Sequence, residues 1–198
     1  MKISSIRMNL LEGGKFLASA SICVDNAIAL PGIRLGKRDD GAYYILMPAI
    51  RRRDNTFRET FFPISSEARA ELTDAIVTHY ENVLSNDTLN GQVVAFEGSY
   101  EFNITEVRVT RIEDESSFAK GIASVTVDNA LALRGMRIVK RDGGYGLLMP
   151  SYRREPREGE EKPTYIDTYH PISNEVRNAL TEAILEEFGV SAPASVEE

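Results

Sequence analysis

VDNAIALPGIRLGKRD runs from Val24 to Asp39, and VDNALALRGMRIVKRD runs from Val127 to Asp142. Eleven of the sixteen positions are identical, and three of the others exchange one aliphatic side chain for another. The match extends in both directions. Upstream, Ile3-x-x-Ile6-Arg7 answers Ile104-x-x-Val107-Arg108. Downstream, Met47-Pro48 answers Met149-Pro150 and Pro63-Ile64-Ser65 answers Pro171-Ile172-Ser173. Arg69, Leu72, Thr73, Ala75 and Ile76 then answer Arg177, Leu180, Thr181, Ala183 and Ile184. Self-similarity on this scale identifies two tandem copies of one unit. Each copy is large enough to fold around a single small core.

Within a copy the apolar period changes once. Ala18, Ala20, Ile22 and Val24 alternate with Ser19, Ser21 and Cys23, as in a half-buried strand, and Ala123, Val125 and Val127 repeat the pattern. A shorter opening strand from Ile3 to Met8 precedes it across the Glu12-Gly13-Gly14 turn. Asp25-Asn26 and Asp128-Asn129 stand where the chain changes direction, which suits turn-forming side chains better than acid–base work. Pro31-Gly32, with Gly135 in the second copy, predicts a bulge or edge position. Asp39-Asp40-Gly41 and Asp142-Gly143-Gly144 predict hairpin turns into the runs Tyr43–Met47 and Tyr145–Met149. From Glu67 onward, Ala68, Leu72, Ala75, Ile76, Tyr80 and Val83 recur at helical spacing. Val176, Leu180, Ala183, Ile184 and Phe188 do the same, with Ser65 and Ser173 as candidate N-caps. The expected fold is α+β: two tandem copies of a four-stranded antiparallel meander followed by an amphipathic helix. The boundaries are 1–84 and 100–189 for the two copies, 85–99 for a linker and 190–198 for a frayed tail.

The connection between Pro48 and Pro63 holds fourteen residues, and that between Pro150 and Pro171 holds twenty. The added length is polar, with REPREGEEK from Arg154 to Lys162, and predicts an exposed, mobile loop. No apolar run is long enough to cross a bilayer, and the first residues lack a secretory pattern. The single cysteine, Cys23, has no internal partner and is expected to serve packing, which fits a reducing cytoplasm.

No nucleophile elbow, phosphate-binding glycine loop or zinc-protease motif is present, so neither an enzyme nor a cofactor site is expected. His79 is expected on the helix flank and is matched by Glu187, while His170 is matched by Phe62 and lacks ligand-bearing neighbours in the sequence. The remaining signal is cationic. Arg51, Arg52, Arg53 and Arg58 follow the first Met-Pro step, and Arg153, Arg154 and Arg157 follow the second. Lys37, Arg38, Lys140 and Arg141 border the hairpin turns. Guanidinium forks suit phosphate oxygens, and Phe57, Tyr152 and Tyr165 nearby can stack on unpaired bases. The plainer alternative is neutralisation by Asp54, Glu155 and Glu158. The chain's net charge of −7 excludes general adhesion to polyanions. Residues 1–84 carry +1 while 100–189 carry −4, so any electrostatic site must be local.

Ala20-Ser21-Ile22-Cys23-Val24-Asp25, Gly32-Ile33-Arg34-Leu35, Leu46-Met47-Pro48 and Pro63-Ile64-Ser65 resemble the stage V sporulation protein G family, SpoVG. So do Ala123-Ser124-Val125-Thr126-Val127-Asp128, Met149-Pro150-Ser151 and His170-Pro171-Ile172. The resemblance implies a cytoplasmic, non-enzymatic regulator of septation, cell division or sporulation that binds DNA, with RNA a second candidate. It also implies a homodimer of single-domain chains, so two copies in one chain imply an intrachain pseudo-dimer, with further self-association left open. Arg69 and Arg177, one basic residue in each acidic helix, complete the candidate contacts. The rival reading is a protein-interaction or scaffolding module that leaves nucleic acid alone.

Overall fold

The computed structural model describes residues 1–51, 54–141, 143–156 and 161–190. In the first copy, β1 (Ile3–Leu10), β2 (Phe16–Val24), β3 (Ile28–Lys37) and β4 (Tyr43–Leu46) form the expected antiparallel meander. Next come β5 (Ala49–Arg51), β6 (Phe57–Glu59) and β7 (Phe61–Pro63), then α1 (Ser66–Ser85). The stretch expected to be only a linker forms a short 3-10 turn (Asp87–Leu89) and a strand, β8 (Val93–Ala95), on the outer edge of β1. The second copy repeats the plan with β9 (Ile104–Arg111), β10 (Ala119–Val127), β11 (Leu131–Arg141), β12 (Gly144–Leu148), β13 (Ser151–Arg154), β14 (Thr164–Asp167), β15 (His170–Pro171) and α2 (Asn174–Phe188).

Local chemistry explains most of these boundaries. Asp25, Asn26, Asp128 and Asn129 all have φ between 50° and 53°, the left-handed pairs of tight two-residue hairpins. Asp25 also accepts a hydrogen bond from the Lys2 amide at 2.7 Å, so its role is structural. Pairing skips a residue between Ala20–Ile33 and Ile22–Leu30, and again between Ala123–Met136 and Ser124–Arg134. Gly32 and Gly135, with φ of 80° and 85°, sit at these bulges. Both helices start as the serines predict: Ser65 Oγ accepts from the Ala68 amide at 3.1 Å, and Ser173 Oγ from the Val176 amide at 3.3 Å.

The two copies trade strands. β7 of the first copy pairs with β11 of the second, Phe61 opposite Leu133 and Pro63 opposite Leu131. In return, β15 of the second copy pairs with β3 of the first, His170 opposite Ala29. One sheet therefore has six strands and the other five, each completed by its neighbour. Phe61 and Tyr169, which occupy equivalent positions in the repeat, meet edge to face with ring centroids 6.3 Å apart. Both are fully buried, and one apolar cluster runs through both copies. The expected intrachain pseudo-dimer is thus built by exchange rather than by apposition of finished domains.

One reading needs correction. His79, expected on an indifferent helix flank, is 4% exposed and its Nε2 has no partner. Burial therefore lowers its pKa below the ordinary histidine value. Cys23, expected to serve packing, lies on the outward face of β2, half-buried between Ser5 and Ala29.

Candidate nucleic-acid interface

The connections after the Met-Pro steps, expected as loops, are two-stranded β-ribbons. β5 pairs with β6 and β13 pairs with β14, each as a sheet of its own. Thr60 and Thr168 close the ribbon bases, their amides donating to the carbonyls of Pro48 (3.2 Å) and Pro150 (2.8 Å). These threonines are buried and matched in the repeat, a signal that marks them as structural.

Register decides what each ribbon displays. Arg51 stands opposite Phe57, and Arg153 opposite Tyr165. Directly opposed residues share a face of an antiparallel pair. Each ribbon thus sets an exposed arginine beside an exposed aromatic ring; Phe57 is 72% exposed and Tyr165 69%. The pairs occupy equivalent positions, three residues after the first proline and six before the second. Strand alternation also splits the expected arginine doublet: Arg154 pairs with Thr164 and shares the opposite face with Tyr152. Arg58 likewise faces away from Arg51, opposite Ile50.

The neutralisation alternative holds in part. Arg153 Nε lies 3.6 Å from a Glu155 oxygen, with both side chains more than half exposed. Such a pair contributes at most about 1 kcal/mol and yields readily to a competing anion. Arg154 donates to the Glu155 carbonyl at 3.5 Å. Asp54 accepts from the amide and hydroxyl of Thr56 at the first ribbon's turn. Arg52, Arg53, Arg157 and Glu158 lie outside the described residues, as do residues 157–160 of the expected mobile loop and all of the expected tail after Val190.

The remaining candidates are dispersed. Lys37 Nζ lies 5.1 Å from the Tyr43 ring centroid and the Arg38 guanidinium 5.9 Å from that of Tyr44. Lys140 and Arg141 flank the matching turn, opposite Tyr145 and Gly144. Arg69 is half-buried on α1, among Glu67, Glu71, Asp74 and Glu81. Arg177 is exposed on α2, among Glu175, Glu182, Glu186 and Glu187. Neither helix gathers positive charge. Among the described residues no group of three or more His, Cys, Asp or Glu side chains is placed to hold a metal ion, and no helix is long and apolar enough to cross a membrane.

Fold and ribbons together define a fused pair of strand-exchanged α+β domains that displays two arginine–aromatic surfaces. The chain belongs to the SpoVG family, whose profile matches residues 1–82 and again 102–190. A septation protein SpoVG of Caldanaerobacter subterraneus subsp. tengcongensis is 40% identical over 85 residues, covering 43% of this chain and 86% of that protein. Its namesake in Borreliella burgdorferi is 36% identical over 97 residues, covering 48% of this chain and 94% of the relative. The one from Thermoanaerobacter sp. strain X514 is 38% identical over 85 residues, covering 43% and 85%. Each relative is nearly used up by half of this chain, so the relatives correspond to one copy of the repeat.

Proposed function

We propose that this chain is a non-enzymatic regulator of the septation type that binds nucleic acid through its two ribbons. The observation that carries the reading is the register pairing of Arg51 with Phe57 and of Arg153 with Tyr165. Arginine supplies a planar donor fork for a phosphate, and the adjacent ring supplies a stacking platform for a base. This combination favours single-stranded DNA or RNA, whose bases are free to stack, over duplex. Lys37, Arg38, Lys140 and Arg141 would add diffuse positive charge, whereas the acidic helices turn a polyanion away from α1 and α2. Contacts of this kind position a strand and carry little sequence information.

Fluorescence anisotropy with single-stranded and duplex probes over a salt series tests the proposal. Affinity should fall with rising salt, with a log–log slope of about −0.7 per single-strand phosphate neutralised. Replacing Arg51 and Arg153 together by Gln should remove about two phosphate contacts from that slope. Replacing Phe57 and Tyr165 by Ala should weaken single-strand binding by about 1–3 kcal/mol per stacked base and leave the slope unchanged. Wild-type chain that binds neither probe at low salt overturns the reading and favours the scaffolding alternative.

A further inference from the structure

The outer face of the second sheet carries a row of side chains that the ribbons do not use. Ser124 on β10 stands between Arg108 on β9 and Arg134 on β11. Neighbouring strands are about 4.8 Å apart, so the two arginine backbones are separated by roughly 10 Å with the serine between them. One residue pair along, Thr126 stands between Glu106 and Ala132, and Ala132 faces Phe62 of the exchanged strand β7. These residues line a surface pocket of about 240 Å³, whose walls come from both copies.

The two arginines are held differently. Arg108 donates through Nε and Nη2 to one oxygen of Glu106, at 2.8 and 2.7 Å, leaving its Nη1 edge for another acceptor. Arg134 lies over the Phe62 ring with its guanidinium carbon 4.2 Å from the centroid, and among the described residues it has no ion pair. Its backbone is clamped from both copies: its amide donates to Thr60 at 2.6 Å, and its carbonyl accepts from the Tyr169 hydroxyl at 3.0 Å. Partial burial, then the charges of Arg58 and Arg108, lower the Arg134 pKa, with Glu59 opposing them. A cation so crowded gains from an added anion.

The first copy supplies an internal contrast. There the equivalent row is Arg7, Ser21 and Pro31, so the second guanidinium is missing, and His170 stands where Phe62 does. β8 also covers the edge beside Arg7, with Val93 opposite it.

We propose that Arg108, Ser124 and Arg134 form a phosphoryl-binding site present only in the second copy. Two guanidinium edges and one hydroxyl donate to the phosphoryl oxygens, and the Phe62 side of the pocket receives the group attached to the phosphorus. The ligand is a phosphate ester, either a free nucleotide or the backbone of a nucleic-acid strand. No ribbon residue lines this site.

Arginine Nε–H signals of the ¹⁵N-labelled full chain, followed by NMR, provide the test. The probes are inorganic phosphate, thymidine 5′-monophosphate and an oligothymidylate without terminal phosphates. Saturable, joint shifts of Arg108 and Arg134 with Arg7 unmoved are expected. Arg134→Met, which keeps an apolar stem over Phe62, should weaken the best probe about tenfold or more, as loss of charge-assisted hydrogen bonds requires. Arg7→Gln should leave that affinity unchanged. Response to the two small probes alone identifies a free phosphate ester, and response to the oligonucleotide as well identifies a strand backbone. Silence of Arg134 toward all three probes overturns the site, as does equal weakening by Arg134→Met and Arg7→Gln. The wild-type titration decides even if a variant fails to fold. Small probes reach the row without the ribbons, so failure of ribbon binding would leave this result standing.

Discussion

His79 shows how far one residue can depart from its repeat partner. Its equivalent Glu187 is exposed, whereas the imidazole is enclosed on α1. Burial disfavours the charged form and lowers its pKa below the ordinary value of about 6.5. The neutral form is therefore the one that folding selects. Above the unfolded pKa both states are neutral and His79 adds no pH dependence. As pH falls below it, the unfolded chain binds a proton that the folded chain resists, and stability declines. Urea unfolding from pH 7.5 to 5.5 should show this loss, and His79→Leu should reduce it. Equal pH dependence in both proteins would show that His79 is not its source.

At the scale of the element, the bulges and ribbons shape each copy. Gly32 and Gly135 place positive φ where β3 and β11 bend, and a Cβ at Gly135 would meet Pro150 Cβ at an ordinary 3.4 Å. The cost of Gly135→Ala is thus conformational, about 1–2 kcal/mol for a non-glycine residue held left-handed. Denaturant unfolding should show that loss, while alanine at the exposed Gly14, where nothing lies within 4 Å, should cost less. The bulges were legible in the sequence because a glycine recurs at the same place in both copies. The ribbons were not, because short polar segments lack the apolar alternation that reveals a half-buried strand. Their register converts scattered arginines and aromatics into matched pairs.

For the whole molecule, the exchange of β7 and β15 makes each copy depend on the other. An isolated first copy would leave β3 without its β15 partner and Phe61 without its Tyr169 contact. It should replace both only by pairing with a second molecule, whose β7 and Phe61 stand in for β15 and Tyr169. Light scattering on residues 1–99 should therefore show a dimer or aggregate, whereas a stable monomeric half would contradict the exchange. Phe61→Ala in the intact chain should cost about 3–5 kcal/mol, because it empties the fully buried contact at which the copies meet. The two copies nonetheless differ in sequence. Pro31 and Arg134 occupy the same repeat position, yet only the arginine builds a cationic row.

The repeat, the α+β class, the hairpin turns and the serine caps followed from the sequence alone, because each rests on local spacing or on backbone preferences of single residues. Family membership was visible for the same reason, in short motifs kept in order. Strand exchange, the burial of His79, the facing of Arg51 with Phe57 and the Arg108–Ser124–Arg134 row were decided only by tertiary structure. Each joins residues through strand pairing or packing, and no one-dimensional period encodes which edge a strand will find.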